Sequence, residues 1–126
     1  MAATYHSQYG QDRFLDRALF RGMRGGVFVD VGAHDGVSLS NTLTFEQDYG
    51  WHGLCIEPNP NVFPTLAANR RGPCINVAIA AVETNRPFYE FTGYAEMLSG
   101  LAEASSDWHL ERAKREVAEH GGAMSI

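Results

Sequence analysis

The sequence predicts an α/β fold built on parallel strands, and three observations lead there. Two short apolar runs each end in a carboxylate, Val27-Phe28-Val29-Asp30-Val31 and Gly53-Leu54-Cys55-Ile56-Glu57. Such runs are the form of buried parallel strands, each delivering an acid to its C-terminal tip. The 27 positions from Asp30 to Glu57 match one strand-helix-strand unit, which takes roughly 30 residues. Gly32 and Gly36 follow the first tip, where the chain must turn out of the strand.

Asp12 to Phe20 reads as an amphipathic helix with Phe14, Leu15, Ala18 and Leu19 on one side, stopped by Gly22. Gly25-Gly26 turns into the first strand, Val27 to Val31. Val37 to Tyr49 reads as a right-handed crossover helix, with Leu39 and Leu43 one turn apart and Phe45 and Tyr49 on a neighbouring line. After Glu57, Asn59 or Asn61 caps a helix bearing Phe63, Leu66 and Ala67. Pro64 favours Asn61, because it then falls in the first turn, where a missing N–H costs nothing.

Ile75 to Ala80 reads as the third strand, Arg86 to Thr92 as a strand or hairpin, and Gly93 to Ser105 as a loop. The last helix, Asp107 to His120, has a narrow apolar line at Leu110, Ala113 and Val117 and ends at Gly121. Glu111 with Arg115, and Arg112 with Glu116, stand at i,i+4 spacing. Such pairs contribute only ~0.2–0.5 kcal/mol each and mark a solvent-facing surface. The tail from Gly121 to Ile126 offers no closing element.

Composition bounds the function. A chain of 126 residues, 44% hydrophobic and 20% charged, is an ordinary single globular domain. The net charge of −5 argues against a nucleic-acid partner, which calls for a basic face. Arg21 with Arg24, and Arg70 with Arg71, read as solvated helix ends. The first residues lack the charged start and apolar core of a secretion signal, and no apolar run approaches the ~20 residues of a membrane span. The expected location is the cytoplasm, with no membrane partner.

Cys55 and Cys74 read as buried free thiols there. The five histidines form no His-x-x-x-His pair and the cysteines no Cys-x-x-Cys, so no metal is expected. No Gly-x-Ser-x-Gly elbow occurs either.

The glycine spacing bears on the ligand. A dinucleotide site wants Gly-x-Gly-x-x-Gly so that backbone can approach a pyrophosphate. Here the pattern is Asp30-x-Gly32-x-x-x-Gly36, and a carboxylate in that place repels a pyrophosphate but attracts a cation. S-adenosylmethionine has no phosphate, carries a sulfonium and an α-ammonium, and offers ribose hydroxyls to a second carboxylate such as Glu57. A nicotinamide-type half-domain is the alternative.

An ordered set of motifs then resembles class I S-adenosylmethionine-dependent methyltransferases of the FkbM type. It comprises Ser7-Gln8-Tyr9-Gly10-Gln11-Asp12, Phe28 to Gly36, Ser40-Asn41-Thr42, Gly50-Trp51-His52-Gly53, Ile56-Glu57-Pro58-Asn59-Pro60 and Asn76-Val77-Ala78-Ile79-Ala80, running from about Tyr5 to Leu101. The resemblance implies a Rossmann-like class I methyltransferase fold, three-layer α/β/α, as a single partial domain over 1–126. Within it lie an N-terminal covering helix region at 5–22 and a cofactor-binding βαβαβ core at 27–80.

The resemblance also implies site roles, with S-adenosyl-L-methionine as cofactor. Asp30, Gly32 and Gly36 would line its methionine end, and Glu57, on a turn pre-ordered by Pro58, would take the ribose hydroxyls. Asn59 and Ala78 would lie near the adenine. Ala33, His34 and Asp35 belong to the loop passing the methionine moiety. For His34 and Asp35 a polar contact or proton acceptance stands beside a plain cap of the crossover helix by Asp35. Asn41 and Thr42 either reach the cofactor or make a helix-packing hydrogen bond. Ser7, Gln8, Gln11 and Asp12 would pack over the cofactor mouth. Trp51 and Trp108 read as packing residues.

The implied reaction is O-methylation of a sugar or natural-product hydroxyl, so the expected partner is a small-molecule or glycan acceptor; no catalytic residue is singled out. Complete domains of this type continue into a fourth strand ending in an Asp-x-Glu-Gly segment, which this sequence lacks. The expectation is therefore a domain truncated after the third parallel strand plus a hairpin and helix. Its first strand would form an edge for a second copy or a partner chain to cover. Turnover by the isolated chain is then doubtful, and a non-catalytic cofactor-binding fragment is the alternative reading.

Overall fold

Val27–Val31 forms β1 and His52–Ile56 forms β2, paired in parallel with Phe28 opposite Gly53 and Asp30 opposite Cys55. Cys74–Ile75 forms β3 on the other side of β2, with Cys74 opposite Cys55, so the sheet order is β1-β2-β3. The structure, a computed structural model, describes residues 2–126; Met1, where the expected 1–126 domain starts, lies outside them. These strands belong to a first unit ending at Val77, and a second unit spans Ala78–Ile126.

Strand alternation assigns the faces of the first sheet. Phe28 and Cys55 point to one face and form a core with Phe45, Trp51 and Leu66. Leu15, Phe20 and Phe63 pack against that core, so the helices of this unit all lie on the same face. On the opposite face Val27, Val29 and Val31 are 72%, 62% and 61% exposed. Among the described residues no strand pairs with the outer edge of β1. The first unit thus has two layers, one sheet and one helical layer, where the sequence predicted three.

The first helix differs from expectation in winding and in phase. Gln11–Phe14 forms α1 and runs directly into a π-helix over Leu15–Phe20. Phe14, Ala18 and Leu19, expected inside, are exposed, while Asp12 and Asp16 are buried. Hydrogen bonding decides this, because a buried carboxylate is tolerated when several donors meet it. Asp12 accepts the N–H of His6 at 2.6 Å, the Ser7 hydroxyl at 2.6 Å and the Thr44 hydroxyl at 3.1 Å. Asp16 accepts the hydroxyls of Tyr5 and Tyr49, each at 2.7 Å, and the N–H of Gly22 at 3.0 Å.

The crossover helix, α2, begins at Leu43 and runs to Tyr49, six residues later than expected. His34, Gly36 and Leu39 have φ of 51°, 79° and 58°, left-handed values that a right-handed helix excludes. Side chains also divert the backbone locally. Asp35 accepts the N–H groups of Val37 and Ser38 at 2.9 and 2.7 Å, and the Ser40 hydroxyl accepts that of Leu43 at 3.1 Å.

Phe63–Asn69 forms α3 with Val62, not Asn61, at its N-cap, and Pro64 in the first turn as expected. Asn59 instead closes the preceding turn, its side-chain oxygen accepting the N–H of Asn61 at 3.0 Å. The third strand is two residues long where six were expected. Asn76 leaves the ladder: its side-chain amide donates to the carbonyls of Glu57 and Pro58 at 2.8 and 3.1 Å.

In the second unit Phe88–Phe91 forms β4, flanked antiparallel by β5, Gly100–Leu101, and β6, Met124–Ser125. The tail is therefore a strand, with Phe91 opposite Met124. Short 3-10 turns at Gly93–Leu98 and Ala102–Ala104 lie within the expected loop. Asp107–His120 forms α4 with the expected bounds, capped by the Ser106 hydroxyl, and Gly121 follows its last turn. Leu110, Ala113 and Val117 pack on Phe91 and Ala95. Arg112 meets Glu116 at 3.9 Å as expected, whereas Glu111 pairs with Lys114 at 3.3 Å rather than with Arg115.

Candidate functional site

The parallel register brings two carboxylates to one end of the sheet. Asp30 stands opposite Cys55 near the C-terminal end of β1, and Glu57 directly follows the last residue of β2. Ligands of open α/β sheets gather at this end. Gly32, with φ of 76°, turns the chain so that its N–H and that of Ala33 both donate to the Ile56 carbonyl, at 2.8 and 3.0 Å. The loop 32–36 is thereby laid across the tip of β2.

Glu57 is buried and holds the two tips together. Its Oε2 accepts the N–H of His34 at 2.8 Å and its Oε1 accepts the N–H of Asn59 at 2.8 Å. An ionised carboxylate has about four acceptor positions, so each oxygen retains capacity for a further donor. Pro58 is fixed through its carbonyl by Asn76, and Asn59 is buried.

Asp30 accepts the Thr42 hydroxyl at 2.5 Å and lies 3.8 Å from Nη1 of Arg70. Arg70 was expected at a solvated helix end, yet its side chain is wholly buried. From the C-cap of α3 it donates to Glu46 Oε2 at 3.0 Å, the Gly36 carbonyl at 3.3 Å and the Thr42 hydroxyl at 3.0 Å, and its guanidinium lies over the Phe28 ring. Local pattern gives no hint of this, because two adjacent arginines at a helix end usually face water. The signal available in the sequence was Glu46, three positions after Leu43 and so on the same helix face, where a buried acid calls for a cation.

Asp35 accepts the Ser38 hydroxyl at 2.6 Å besides the two N–H groups, so it caps a turn and not the crossover helix. Burial pushes its carboxyl up, but the Ser38 hydroxyl and the N–H groups outweigh that and hold it below its ordinary value near 3.8. His34 Nδ1 lies 3.7 Å from Asp35 Oδ1. Asn41 is exposed in the loop before α2, and Thr42 faces Asp30 and Arg70. Ala78 is exposed and opens the second unit.

Ser7 and Asp12 of the N-terminal signature clamp the start of α2 through Thr44, and Ser7 forms a parallel bridge with Leu39. Gln11 accepts the N–H of Tyr9 at 2.9 Å, and Gln8 is exposed. Trp51 is buried, as expected, with its indole N–H on the Met23 carbonyl at 2.7 Å, whereas Trp108 is 68% exposed. Trp108 lines a surface cavity of about 330 Å³ in the second unit. The polar groups of that cavity serve the local fold: Ser105 donates to the Leu101 carbonyl, and His109 Nε2 lies 2.7 Å from the Leu98 carbonyl.

The buried acids imply a pH dependence for the first unit. Burial alone would raise Asp12 and Asp16, but hydroxyl and N–H donors from Ser7 and His6, and from Tyr5, Tyr49 and Gly22, hold both below the ordinary value near 3.8. A carboxyl depressed on folding stabilises above its unfolded value and loses that contribution as pH falls through the folded one. Urea melts followed by Trp51 emission should show near-constant stability from neutrality to about pH 5, then a steep loss below about pH 4. Asp12→Asn should flatten that loss. An unchanged midpoint at low pH in the native chain would contradict this account.

Among the described residues no three His, Cys, Asp or Glu side chains cluster to hold a metal, and no helix is long and apolar enough to cross a membrane. Cys55 and Cys74 are both free, the burial of Cys55 pushing its thiol up to about 12. The model of the FkbM methyltransferase domain matches residues 30–119. No curated protein and no solved structure matches the chain.

Proposed function

The chain belongs to the FkbM methyltransferase family, and on that footing we propose that it binds S-adenosylmethionine at the tips of β1 and β2 for transfer of a methyl group to a hydroxyl oxygen. The observation that carries this reading is Glu57, buried and held by one backbone N–H on each oxygen, with acceptor capacity left on both. Two vicinal ribose hydroxyls are the donor pair such a carboxylate suits. Asp30 at the neighbouring tip supplies negative charge where the methionine ammonium would lie. Gly32, Ala33, His34, Asp35 and Gly36 shape the loop between them, while Pro58 and Asn59 form the floor beyond Glu57.

When bound, the cofactor supplies a methyl carbon activated by its sulfonium. The protein's share is orientation: Glu57 and Asp30 are fixed before any ligand arrives, so little ordering remains to be done on binding. Within the family, a sugar or natural-product hydroxyl is the acceptor class this reading adopts. Adjacent free thiols at Cys55 and Cys74 suit a reducing compartment such as the cytoplasm. The outer edge of β1, unpaired among the described residues, suits a covering strand from a second copy or a partner chain.

Calorimetric titration of the purified chain with S-adenosylhomocysteine, alongside NAD, tests the site. Binding of the thioether without an NAD response is expected, and Glu57→Ala should weaken it by about a hundredfold, two hydrogen bonds to a charged acceptor being lost. Asp30→Ala should weaken it about tenfold. NAD binding that is equal or stronger, or full affinity in folded Glu57→Ala, would refute the assignment.

A further inference from the structure

Arg70 has no part in the reading above, yet its guanidinium reaches both ends of the loop that would bear the methionine moiety. Nη1 donates to the carbonyl of Gly36, where the loop leaves, and lies 3.8 Å from Oδ2 of Asp30, in β1 two residues before the loop begins. Nη2 donates to the Thr42 hydroxyl at 3.0 Å, and that hydroxyl donates to Asp30 Oδ2 at 2.5 Å. The direction of this relay is forced, since a guanidinium only donates and an ionised carboxylate only accepts. Thr42 must therefore turn its proton toward Asp30.

We propose that Arg70 is a positioning residue for the methionine end of S-adenosylmethionine, acting through Asp30 and the 32–36 loop; this rests on the cofactor reading above. Two features distinguish the arrangement from a plain buried ion pair. The planar fork spans entry and exit of one loop, a geometry that a lysine ammonium on a flexible stem does not reproduce. Charge is also left over. One guanidinium faces two carboxylates, and its closer pairing, at 3.0 Å, is with Glu46 and not with Asp30 at 3.8 Å. Glu46 thus takes the larger share of the neutralisation, and Asp30 is oriented while keeping negative charge for an ammonium group.

The test compares two ligands on the full chain, S-adenosylhomocysteine and 5′-methylthioadenosine, which shares the nucleoside and thioether but lacks the amino-acid end. Arg70→Lys keeps the charge and loses the fork; Thr42→Val removes the relay alone. Each should weaken S-adenosylhomocysteine about tenfold and change methylthioadenosine less than about twofold by titration calorimetry. Equal losses for both ligands, or none for either, would overturn the positioning role while leaving the cofactor reading intact. If Arg70→Lys shows no cooperative unfolding transition, Thr42→Val decides by the same comparison. Failure of the native chain to bind either ligand would instead overturn the cofactor reading, and the positioning role with it.

Discussion

Arg70→Met is expected to lower the stability of the first unit by about 3–5 kcal/mol, the usual cost of removing one partner from a buried charge cluster. Arg70 is wholly buried, as is nearly all of the Glu46 side chain that it meets at 3.0 Å. Without the guanidinium, Glu46 Oε2 keeps, among the described residues, the N–H of Arg71 at 3.4 Å, and Oε1, buried with no partner among them, gains none. Asp30 loses its cation at the same time. Packing does not compensate, because methionine restores the volume of the stem but no donors. The measurement is the urea midpoint followed by Trp51 emission, since Trp51 lies in the affected core whereas Trp108 is already exposed. A midpoint unchanged from the native chain would show that the cluster is not an electrostatic keystone. Adding Glu46→Met to Arg70→Met should recover part of the loss, because one uncompensated charge is then removed.

Gly36→Ala should cost about 2–4 kcal/mol, where Gly32→Ala should cost about 1–2 kcal/mol. Both glycines have positive φ, 79° and 76°, so both substitutions carry the left-handed backbone penalty. They differ in what a Cβ would meet. At Gly36 it would stand 2.7 Å from Cγ of Arg70 and 2.8 Å from Cδ1 of Leu66, while at Gly32 nothing among the described residues lies within 4 Å. Leu66 is completely buried and Arg70 is held by its hydrogen bonds, so neither can swing aside without loss. The Gly36 variant should also displace the guanidinium from the Gly36 carbonyl and weaken S-adenosylhomocysteine more than methylthioadenosine. Equal destabilisation by the two substitutions, in parallel urea melts, would contradict the close approach of α3 to the loop.

What was legible in the sequence, and what was not, follows the range of the interactions involved. β1 and β2 were found to within a residue, because an apolar run ending in an acid is a local signal of a buried strand. The helix Asp107–His120 was found with both ends, since the narrow apolar line and the Gly121 stop lie in or directly beside its own segment; the Ser106 cap was seen only in the structure. The start of α2 was misplaced for the converse reason. Leu39 fits the helical spacing, but Asp35 and Ser40 draw the backbone into turns, and the Ser7 bridge holds Leu39 at a φ of 58°.

The N-terminal helix shows the same limit. Phe14 and Leu19 make a plausible apolar face on their own, yet Tyr5, Thr44 and Tyr49 offer Asp12 and Asp16 hydroxyl donors from elsewhere in the chain, and the acids go inside. The closing strand β6 is unreadable in Met124-Ser125, because two residues carry no period and depend on β4 to pair with them.

By itself, then, the sequence determined the parallel β1-β2 pair, the acids at its tips, the glycine turn between them and the family to which the motifs belong. Those features are written in short-range spacing, where burial and backbone conformation act on neighbouring residues. Only the tertiary structure decided that Arg70 lies inside, that Asp30 is oriented through Thr42, and that every helix of the first unit takes one face of its sheet. A charged side chain goes inside only where acids and carbonyls distant in sequence converge to replace its water, and that convergence exists only once the chain has folded.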